Sequence, residues 1–290
     1  MSLVAPFGFL AAQGEARLLD KYPGAEFAFS TRLLSSTYTG ACMRVRRSSD
    51  GAQSDIQFTS DGYLDQASIE TFRGASTEVQ IMEWYDQSGN NMVLSQADYG
   101  NAPEIYAGGA YKTSLGKYAG SFDNQWLISS NYDPSMLNDS SWFIVNTPLT
   151  NPGTQDGCMV QAQEFDGTNW RVDVMGFRDG GFFTRLTQDA ANNQLNGYDF
   201  STTTSSVVSN IIDTSAVSNV FKFNNSVKTD SNNGRSNTGQ GAKVTLGRSG
   251  NVATGTSAEF LLNEMIYYDN DQTSNEAGIL DNINEFYSIY

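Results

Sequence analysis

The sequence predicts an all-β protein, an antiparallel two-sheet sandwich that ends in a short C-terminal helix. Runs of alternating apolar and polar residues recur along most of the chain, and polar turns separate them. Helical spacing is clear only near the C-terminus. Because only 17% of the residues are charged, Ser, Thr, Asn, Gln and Gly must supply the polar surface, which is typical of strands and turns.

The first residues differ from the rest of the chain. Phe7, Phe9 and Leu10 lie in an apolar stretch, and a Pro-Gly break follows at residues 23–24. This stretch is either a first strand or an attachment arm. We therefore divide the chain into an N-terminal attachment segment, residues 1–20, and a single sandwich domain, residues 21–290. The segment lacks the basic and long apolar regions of a signal peptide.

A hairpin is predicted next. The stretch Met43–Arg46 alternates apolar and basic residues, which indicates a half-buried strand. The pair Asp50-Gly51 indicates the turn, and Ile56 begins the returning alternation. We expect the arginines of this hairpin to pair with acidic residues such as Asp50 and Asp55.

The stretch EWYDQSGNN, residues 83–91, ends another predicted strand. One interpretation is a sugar platform, in which an aromatic ring stacks on the sugar while Asp86 and Asn90 bond its hydroxyls. The other is a strand end, in which Asp86 accepts hydrogen bonds from its own turn and Trp84 lies in the core. We favour the second interpretation, a signature of the fold.

Further strands and one helix complete the prediction. Thr273–Glu276 fits a capping box, in which Thr accepts from the N3 amide and Glu reaches back. The helix it begins should pack on the sandwich through Ile279, Leu280, Ile283, Phe286 and Tyr287. Strands are predicted within residues 141–145, 158–161, 170–174, 181–184, 219–223, 243–247 and 259–268, and a long hairpin loop over residues 224–241.

Composition excludes several functions. The formal charge of −15 repels phosphate backbones, so we expect no nucleic-acid partner, and no apolar run is long enough for membrane insertion. The chain has no histidine, which removes imidazole chemistry and typical zinc sites. Paired carboxylates remain for hydrolysis. We expect Cys42 and Cys158 to be buried thiols.

Two motifs resemble a known family. Phe29–Ala41, continued by Val45–Asp50, and later Trp84–Asn90 resemble the N-terminal part of the arabinofuranosidase B catalytic domain, a jelly roll like concanavalin A. The same motifs resemble virion proteins of tailed phages, and Glu264–Asp269 with Asp281–Tyr287 looks like the closing strand and helix of those lectin-like proteins. The resemblance implies a concanavalin- or laminin-G-like jelly-roll fold.

The chain departs from the enzyme family in three respects. The fungal enzymes have several disulfides and a second, arabinose-binding domain, whereas this chain has two cysteines and no length for that domain. Their catalytic segments match no Glu or Asp here. The pairs Glu83 with Asp86 and Glu259 with Glu264 are the candidates for a glycosidase mechanism.

We therefore expect a virion structural protein of a tailed phage, without enzymatic activity. It would be a tail or capsid fibre or a capsid decoration protein, assembled in the host cytoplasm and displayed on the virion surface. Phe7, Phe9 and Leu10 would dock on other virion proteins of a homo-oligomer, and the domain would contact host-surface glycans. The candidate carbohydrate-binding residues are Trp126, Asn124, Trp170, Asp86 and Asn90.

Two alternatives remain open. One is a glycoside hydrolase of arabinofuranosidase type, and the other is a purely structural decoration protein without a ligand. No cofactor is expected, although oxygen-rich turns such as Tyr268–Asp271 leave Ca²⁺ as an alternative to a solvated turn.

Overall fold

The structure is a computed structural model of the chain. It describes residues 16–129, 139–150, 157–165, 170–178, 181–188, 191–199, 205–213, 218–224, 226–230, 240–248 and 258–290. Part of the N-terminal segment, including Phe7, Phe9 and Leu10, lies outside the described residues.

Strands make up most of the described chain. The helices are α1 (Leu18–Lys21), α2 (Gln66–Arg73) and α3 (Glu276–Tyr287). The strands are β1 (Phe27–Ser30), β2 (Met43–Arg47), β3 (Gln53–Ile56), β4 (Glu78–Tyr85), β5 (Val93–Ser95), β6 (Glu104–Ala107), β7 (Ala110–Tyr111), β8 (Thr113–Ser114), β9 (Lys117–Tyr118), β10 (Gly120–Asp123), β11 (Leu127–Ser129), β12 (Ser140–Pro148), β13 (Gly157–Phe165), β14 (Trp170–Arg178), β15 (Gly181–Gln188), β16 (Ala191–Asp199), β17 (Ser206–Asp213), β18 (Ser218–Phe223), β19 (Ser226–Asp230), β20 (Gln240–Leu246) and β21 (Glu259–Tyr268).

Antiparallel pairing joins these strands into two runs. The first run is β19, β18, β17, β12 and β21, and β21 also pairs with β1 and β10. The second run is β3, β2, β4, β5, β11, β20, β13, β14, β15 and β16. Strand β6 pairs with both β4 and β10 and so connects the runs. The prediction of a mainly antiparallel β protein with a C-terminal helix is confirmed.

The central strands are buried on both faces. In β12, Trp142 and Ile144 contact a core that includes residues of both runs. Phe143 and Val145 point the other way, into a second core shared with helices α1 and α3. Leu18 and Leu19 belong to that second core, so the described end of the N-terminal segment packs on the body of the protein. A strand that is buried on both faces has apolar residues at consecutive positions. This explains the apolar run at residues 141–145.

The predicted hairpin is confirmed. Met43 and Val45 are buried, whereas the intervening arginine faces outward. Arg44 bonds Asp55 at 2.7 Å and Arg47 bonds Asp50 at 2.7 Å. Arg44 and Arg47 are therefore paired within the hairpin, as expected, whereas Arg46 donates to Gln80 of β4 at 2.9 Å.

The buried positions of β4 do not follow simple alternation. Both Ile81 and Trp84 are fully buried in the same core, although they lie three positions apart in a strand. The register against β2 shifts between Arg44 and Val45, so β4 carries an extra residue there. A β-bulge of this kind reverses the inward and outward positions that follow it.

The C-terminal helix begins differently from the prediction. The residue before it, Asn275, makes no side-chain cap hydrogen bond, and the Thr273 hydroxyl bonds Asp271 instead. Glu276 accepts from Ser209 at 2.7 Å and also pairs with Lys222. The capping box is therefore wrong, because both of its side chains have stronger partners outside the helix end.

The cysteines are confirmed as buried side chains. Cys42 and Cys158 are both buried, and no disulfide joins them. Burial raises the pKa of the Cys42 thiol far above its ordinary value, and its Sγ donates to the Ser30 carbonyl at 3.3 Å. This thiol is therefore an inert core group.

Candidate functional site

A cleft of about 810 Å³ opens where three separate elements meet. Residues 59–65 and the start of α2 form one side, and the β8–β9 hairpin forms another. Phe286 of helix α3 completes the wall. Ligand pockets typically have volumes of roughly 300–1,000 Å³, so the cleft has the size of a small-molecule site.

Aromatic rings form one wall of the cleft. Tyr63, which is 45% exposed, stacks on Phe286 with ring centroids 5.6 Å apart. The Lys117 ammonium lies 5.1 Å from the Tyr63 ring and 4.6 Å from the Phe286 ring. The Arg32 guanidinium lies 4.8 Å from the Phe286 ring. Two cations therefore fix the Phe286 ring, while Tyr63 keeps an exposed surface.

Carboxyl groups lie along the rest of the cleft. Asp65 caps α2, because its oxygens accept from the Ser68 amide at 3.1 Å and the Ser68 hydroxyl at 2.5 Å. These bonds hold the pKa of Asp65 below its ordinary value. Glu70 pairs with Arg73 at 2.7 Å, and this bond lowers the pKa of Glu70. Asp65 and Glu70 are therefore ionised, and each already bonds a neighbouring residue of the chain.

Asp61 differs from the other two carboxyls. Its side chain is exposed and makes no hydrogen bond or ion pair within the described part of the chain. It lies in the turn between Thr59 and Tyr63 and reaches both the cleft and a second cavity of about 340 Å³ on the other side of Tyr63. Asp61 is thus a carboxylate that a ligand can reach.

This arrangement suits an uncharged, hydroxyl-rich ligand. An exposed tyrosine ring provides an apolar face with a polar tip. Carboxylate oxygens accept hydrogen bonds from hydroxyl groups, and charge-assisted bonds of this type are strong. A sugar presents both an apolar face and hydroxyls, so the cleft fits a saccharide.

Asp86, one of the sequence-predicted residues, belongs to the scaffold. The residue is 4% exposed. Its Oδ1 accepts from the amides of Ala28 at 2.7 Å and Ser88 at 2.8 Å, and its Oδ2 accepts from the Ser88 hydroxyl at 2.6 Å and the Met92 amide at 3.4 Å. Burial raises the pKa of Asp86, and these donors oppose the shift. The structural interpretation of residues 83–91 thus has direct support in the contacts of Asp86.

The side chain of Gln87 also bonds the scaffold. Its side-chain oxygen accepts from the Leu34 amide at 2.8 Å, and its side-chain nitrogen donates to the carbonyls of Ser30 and Arg32 at 3.2 and 3.0 Å. Trp84 is fully buried. The turn after β4 therefore connects the chain segments around β1 through hydrogen bonds.

Asn90, Asn124 and Trp126, three of the other predicted carbohydrate-binding residues, do not line the cleft. Asn90 is exposed and donates to the Glu26 carbonyl at 2.9 Å. Asn124 has a positive φ of 58° and donates to Asp123 at 3.1 Å. The partly exposed Trp126 ring faces the Arg248 guanidinium at 4.6 Å. Trp170 begins β14, and its side chain lies outside the described residues.

Neither predicted carboxylate pair has the geometry for hydrolysis. Glu83 faces Arg44, at 3.4 Å, whereas Asp86 is turned into the scaffold. Glu259 and Glu264 lie five residues apart on β21, about 16 Å at the usual rise per residue. Glu264 is fully buried against Arg32. Glycosidase carboxyl groups are separated by about 5–9.5 Å, so Glu259 and Glu264 are too far apart for that mechanism.

A third pair of carboxylates lies on the outer face of the second run. The Tyr85 hydroxyl is 2.6 Å from Glu83 and 3.1 Å from Asp55, and Arg44 bonds both carboxylates. Arg44 lowers the pKa of Asp55, so its ionised form is favoured. A hydrolytic pair needs one protonated member, and the shared arginine opposes protonation. This cluster is therefore an ion-pair network.

Few features of the sequence indicate the cleft. Its acidic residues follow an ordinary-looking turn, and Phe286 has the spacing of a core residue on a helix. One usable signal was present: Asp65 with Ser68 is a helix N-cap pattern, which would have placed α2 beside Tyr63. The contact between α3 and the β8–β9 hairpin had no local signal.

No metal site is visible in the described ranges, where no cluster of three or more Cys, Asp or Glu side chains could hold an ion. In the acidic turn after β21, Asp271 accepts from both the amide and the hydroxyl of Thr273, and the Asn270 carbonyl accepts from Ser141 at 2.9 Å. These oxygens bond the chain itself. Among the described residues, no helix is long and apolar enough to cross a membrane.

Comparison with known proteins matches the first part of the chain to an enzyme family. The family model for the catalytic domain of alpha-L-arabinofuranosidase B matches residues 23–119. Alpha-L-arabinofuranosidase B of Aspergillus oryzae is 44% identical over 77 residues, which are 26% of this chain and 15% of that enzyme. The aligned segment thus covers a small part of the curated relatives. The resemblance of this part to arabinofuranosidase B is confirmed.

The fold extends the likeness beyond the matched residues. A solved arabinofuranosidase complexed with arabinofuranosyl-alpha-1,2-xylobiose superposes with a TM-score of 0.68 at 19% identity, covering 89% of this chain and 62% of that one. The binding domain of Paraclostridial Mosquitocidal Protein 1 superposes with a TM-score of 0.52 at 10% identity, covering 85% and 52%. At these identities the likeness shows the fold alone.

These matches correct the interpretation of the chain as a virion protein. The expected phage virion role, its place on a virion surface and the absence of enzymatic activity are wrong, because the sequence matches are to alpha-L-arabinofuranosidases. The shared motifs include Asp86 and Gln87, whose side chains bond the chain segments around β1. The expected homo-oligomer and the division at residue 20 stay predictions.

Proposed function

We propose that this chain is a glycoside hydrolase of arabinofuranosidase type, which removes arabinofuranosyl groups from glycans. The observation that carries the proposal is the match of residues 23–119 to the arabinofuranosidase B catalytic domain. The shared fold over 89% of the chain is consistent with it. We also propose that the two strand runs form the two sheets of a jelly-roll sandwich, with the larger core between them.

We place the sugar in the cleft beside Tyr63. Most of the cleft, including Asp61, Asp65 and Lys117, lies inside the matched segment. The sugar ring would stack on the exposed face of Tyr63, and its hydroxyls would bond the carboxylates. The Lys117 ammonium is also within the wall and can donate to a ring or glycosidic oxygen.

Hydrolysis of a glycoside needs a proton donor and an anionic carboxylate. Asp65 suits an anionic, charge-stabilising role, since the bonds from Ser68 keep its pKa low. Asp61 is the cleft carboxyl that no described side chain occupies, so it can approach the glycosidic bond directly. We therefore assign Asp61 the role of proton donor to the glycosidic oxygen, with Asp65 as the anionic carboxylate.

The test incubates the whole chain with 4-nitrophenyl α-L-arabinofuranoside. The rate of hydrolysis is measured as the release of 4-nitrophenol. We expect turnover by the wild type and a loss of about 10²–10⁴-fold in kcat for D61N, the range for removal of an acid–base group. The matched control is D55N, an Asp-to-Asn change in the ion-pair network outside the cleft, which should keep wild-type kcat.

Two results would contradict the proposal at different points. Wild-type chain that is folded yet releases no 4-nitrophenol, while it still binds the substrate, would reject hydrolysis and leave only sugar binding. Turnover that survives D61N unchanged would keep the activity and reject the assignment of Asp61. Thermal unfolding of each variant checks that the substitutions leave the protein folded.

A further inference from the structure

A second cavity of about 340 Å³ adjoins the Tyr63 cleft. The start of α1, the turn before α2 and helix α3 form its walls. Asp61, Tyr63 and Phe286 line both this second cavity and the cleft. The two spaces are therefore neighbours that share one wall.

Each space contributes one cation to the shared wall. Lys117 lines the cleft, and its ammonium lies 4.6 Å from the centroid of the Phe286 ring. Arg32 lines the second cavity, and its guanidinium lies 4.8 Å from the same centroid. Both contacts attract the ring, and Tyr63 stacks on it at 5.6 Å. The Tyr63–Phe286 pair is therefore a fixed partition between the two spaces.

Arg17 supplies hydrogen-bond donors to the second cavity. Its Nη1 donates to the Leu33 carbonyl at 3.2 Å, and a guanidinium carries five N–H groups, so donors remain for a ligand. Gly62, with a φ of +83°, lies against this guanidinium, and a Cβ at that position would collide with Nη1. The glycine therefore leaves room for the Arg17 side chain at the wall of the cavity.

Helix α3 adds an acceptor and a further donor. Glu285 is exposed, and no hydrogen bond or ion pair joins it to another described residue. The Asn282 Oδ1 accepts from Arg32 at 3.1 Å, which leaves the amide nitrogen of Asn282 as a donor. The second cavity therefore presents both donors and acceptors to a ligand.

The charges of the second cavity favour a neutral ligand. The Arg32 guanidinium already pairs with Glu264 at 2.7 Å. Among the described residues that line the cavity, Arg17 is therefore the cation left to meet a ligand, against the carboxylates of Asp61 and Glu285. An anionic group would meet more negative than positive charge. Sugar hydroxyls both donate and accept, so they can bond Arg17 and Glu285 together.

We propose that the second cavity binds the sugar on the leaving-group side of the glycosidic bond, so that the preferred substrates are arabinofuranosyl groups attached to another neutral sugar. This inference rests on the proposed function, in which Asp61 is the proton donor. A group that protonates the glycosidic oxygen must lie within hydrogen-bond reach of it, where the two sugars join. Asp61 lies at the boundary of the cleft and the second cavity.

The reaction places one sugar on each side of that boundary. Asp61 transfers its proton to the glycosidic oxygen, and the bond from this oxygen to the anomeric carbon breaks. The sugar in the second cavity leaves as an alcohol. Water then adds its hydroxyl to the anomeric carbon in the cleft, and its other proton restores Asp61.

The test measures binding separately from hydrolysis. Calorimetry on the whole chain carrying D61N compares a disaccharide of two α-linked L-arabinofuranose units with methyl α-L-arabinofuranoside, whose methyl group leaves the second cavity empty. We expect the disaccharide to bind at least about tenfold more tightly, the effect of one added charge-assisted hydrogen bond. Adding Arg17→Ala or Glu285→Ala should bring this affinity ratio close to one. Because Glu285 is exposed, its variant decides the test if the Arg17 variant does not fold.

The matched control is Lys21→Ala, because Lys21 is exposed at the other end of α1 and lines neither space. It should keep the full affinity ratio. A ratio near one before Arg17 or Glu285 is changed, or a ratio that both of their variants leave intact, overturns the inference. Release of arabinose from the disaccharide by the wild type tests the proposed function itself. A wild type that releases none, while the ratio holds and falls in the variants, rejects hydrolysis and keeps the second cavity as a sugar site.

Discussion

Replacing Arg32 with methionine should destabilise this protein more than almost any other single change of a charged residue. Arg32 is 7% exposed and Glu264 is fully buried. Arg32 bonds both carboxylate oxygens of Glu264, with Nε at 2.7 Å and Nη2 at 2.9 Å, and its Nη1 reaches Asn282 of α3 at 3.1 Å. Ser30 and Tyr287 complete the carboxylate's bonds at 2.8 and 3.2 Å.

The magnitude follows from what remains after the change. Arg32→Met leaves the Glu264 carboxylate buried without a countercharge, which costs about 3–5 kcal/mol for pairs of this kind. A whole domain is stable by about 5–15 kcal/mol, so the variant loses a large fraction of the total. Because removing both charges avoids the unpaired ion, R32M/E264L should be within about 2 kcal/mol of the wild type.

Urea unfolding of the full chain measures these differences. The matched control is Arg44→Met, since Arg44 pairs with Asp55 with side chains 39% and 40% exposed and should cost less than about 1 kcal/mol. The reasoning is refuted if R32M costs no more than R44M. It is also refuted if the double variant loses as much as R32M and E264L together, because the coupling between the two charges would then be absent.

Three further predictions follow from single sites. Asp86→Ala should cost about 2–4 kcal/mol in urea unfolding, because it strands buried amides, whereas Asn90→Ala in the same turn should cost less than about 1 kcal/mol; equal losses would contradict the scaffold role. Gly247→Ala should cost well over the ~1 kcal/mol of a left-handed residue, since a Cβ at Gly247 would lie 2.3 Å from a backbone oxygen, and Gly74→Ala, with open space at its Cβ, should cost only the strain of its positive φ. The low pKa of Asp65 contributes stability that is present above the ordinary Asp value near pH 4 and lost as the pH falls below it; Asp65→Asn should flatten this acid loss in thermal unfolding at pH 2–5, and an unchanged slope would contradict it.

Local patterns predicted the parts of the fold that local chemistry determines. The alternation of Met43–Arg46 and the Asp50-Gly51 turn predicted a hairpin, because side-chain facing and turn geometry depend on neighbouring residues. The apolar runs in β12 and β21 predicted strands, since burial on two faces leaves few polar positions. The buried role of Asp86 was predictable because a short acidic side chain after a strand commonly bonds its own turn.

The rest depended on contacts between distant residues. The bulge in β4 is set by its pairing with β2, and no residue type in β4 marks it. Glu276 leaves the predicted capping box because Lys222 and Ser209, more than fifty residues away, bind its carboxylate. The cleft requires Phe286 and Tyr63 to meet, although they are separated by most of the chain. Long-range pairing of this kind has no signal in a single sequence.

The residues that form the scaffold and the residues that line the cleft come from different parts of the chain. The similarity to arabinofuranosidase B covers the scaffold residues but only part of the cleft. The shared motifs contain Asp86 and Gln87, whose side chains bond the backbone around β1. Phe286, in contrast, lies outside the matched residues 23–119 yet forms a wall of the cleft and is held there by Arg32. A protein can therefore keep the motifs and change its ligand by altering the C-terminal helix. Under the proposed function, we therefore expect Phe286 together with Tyr63 to select the sugar in the cleft.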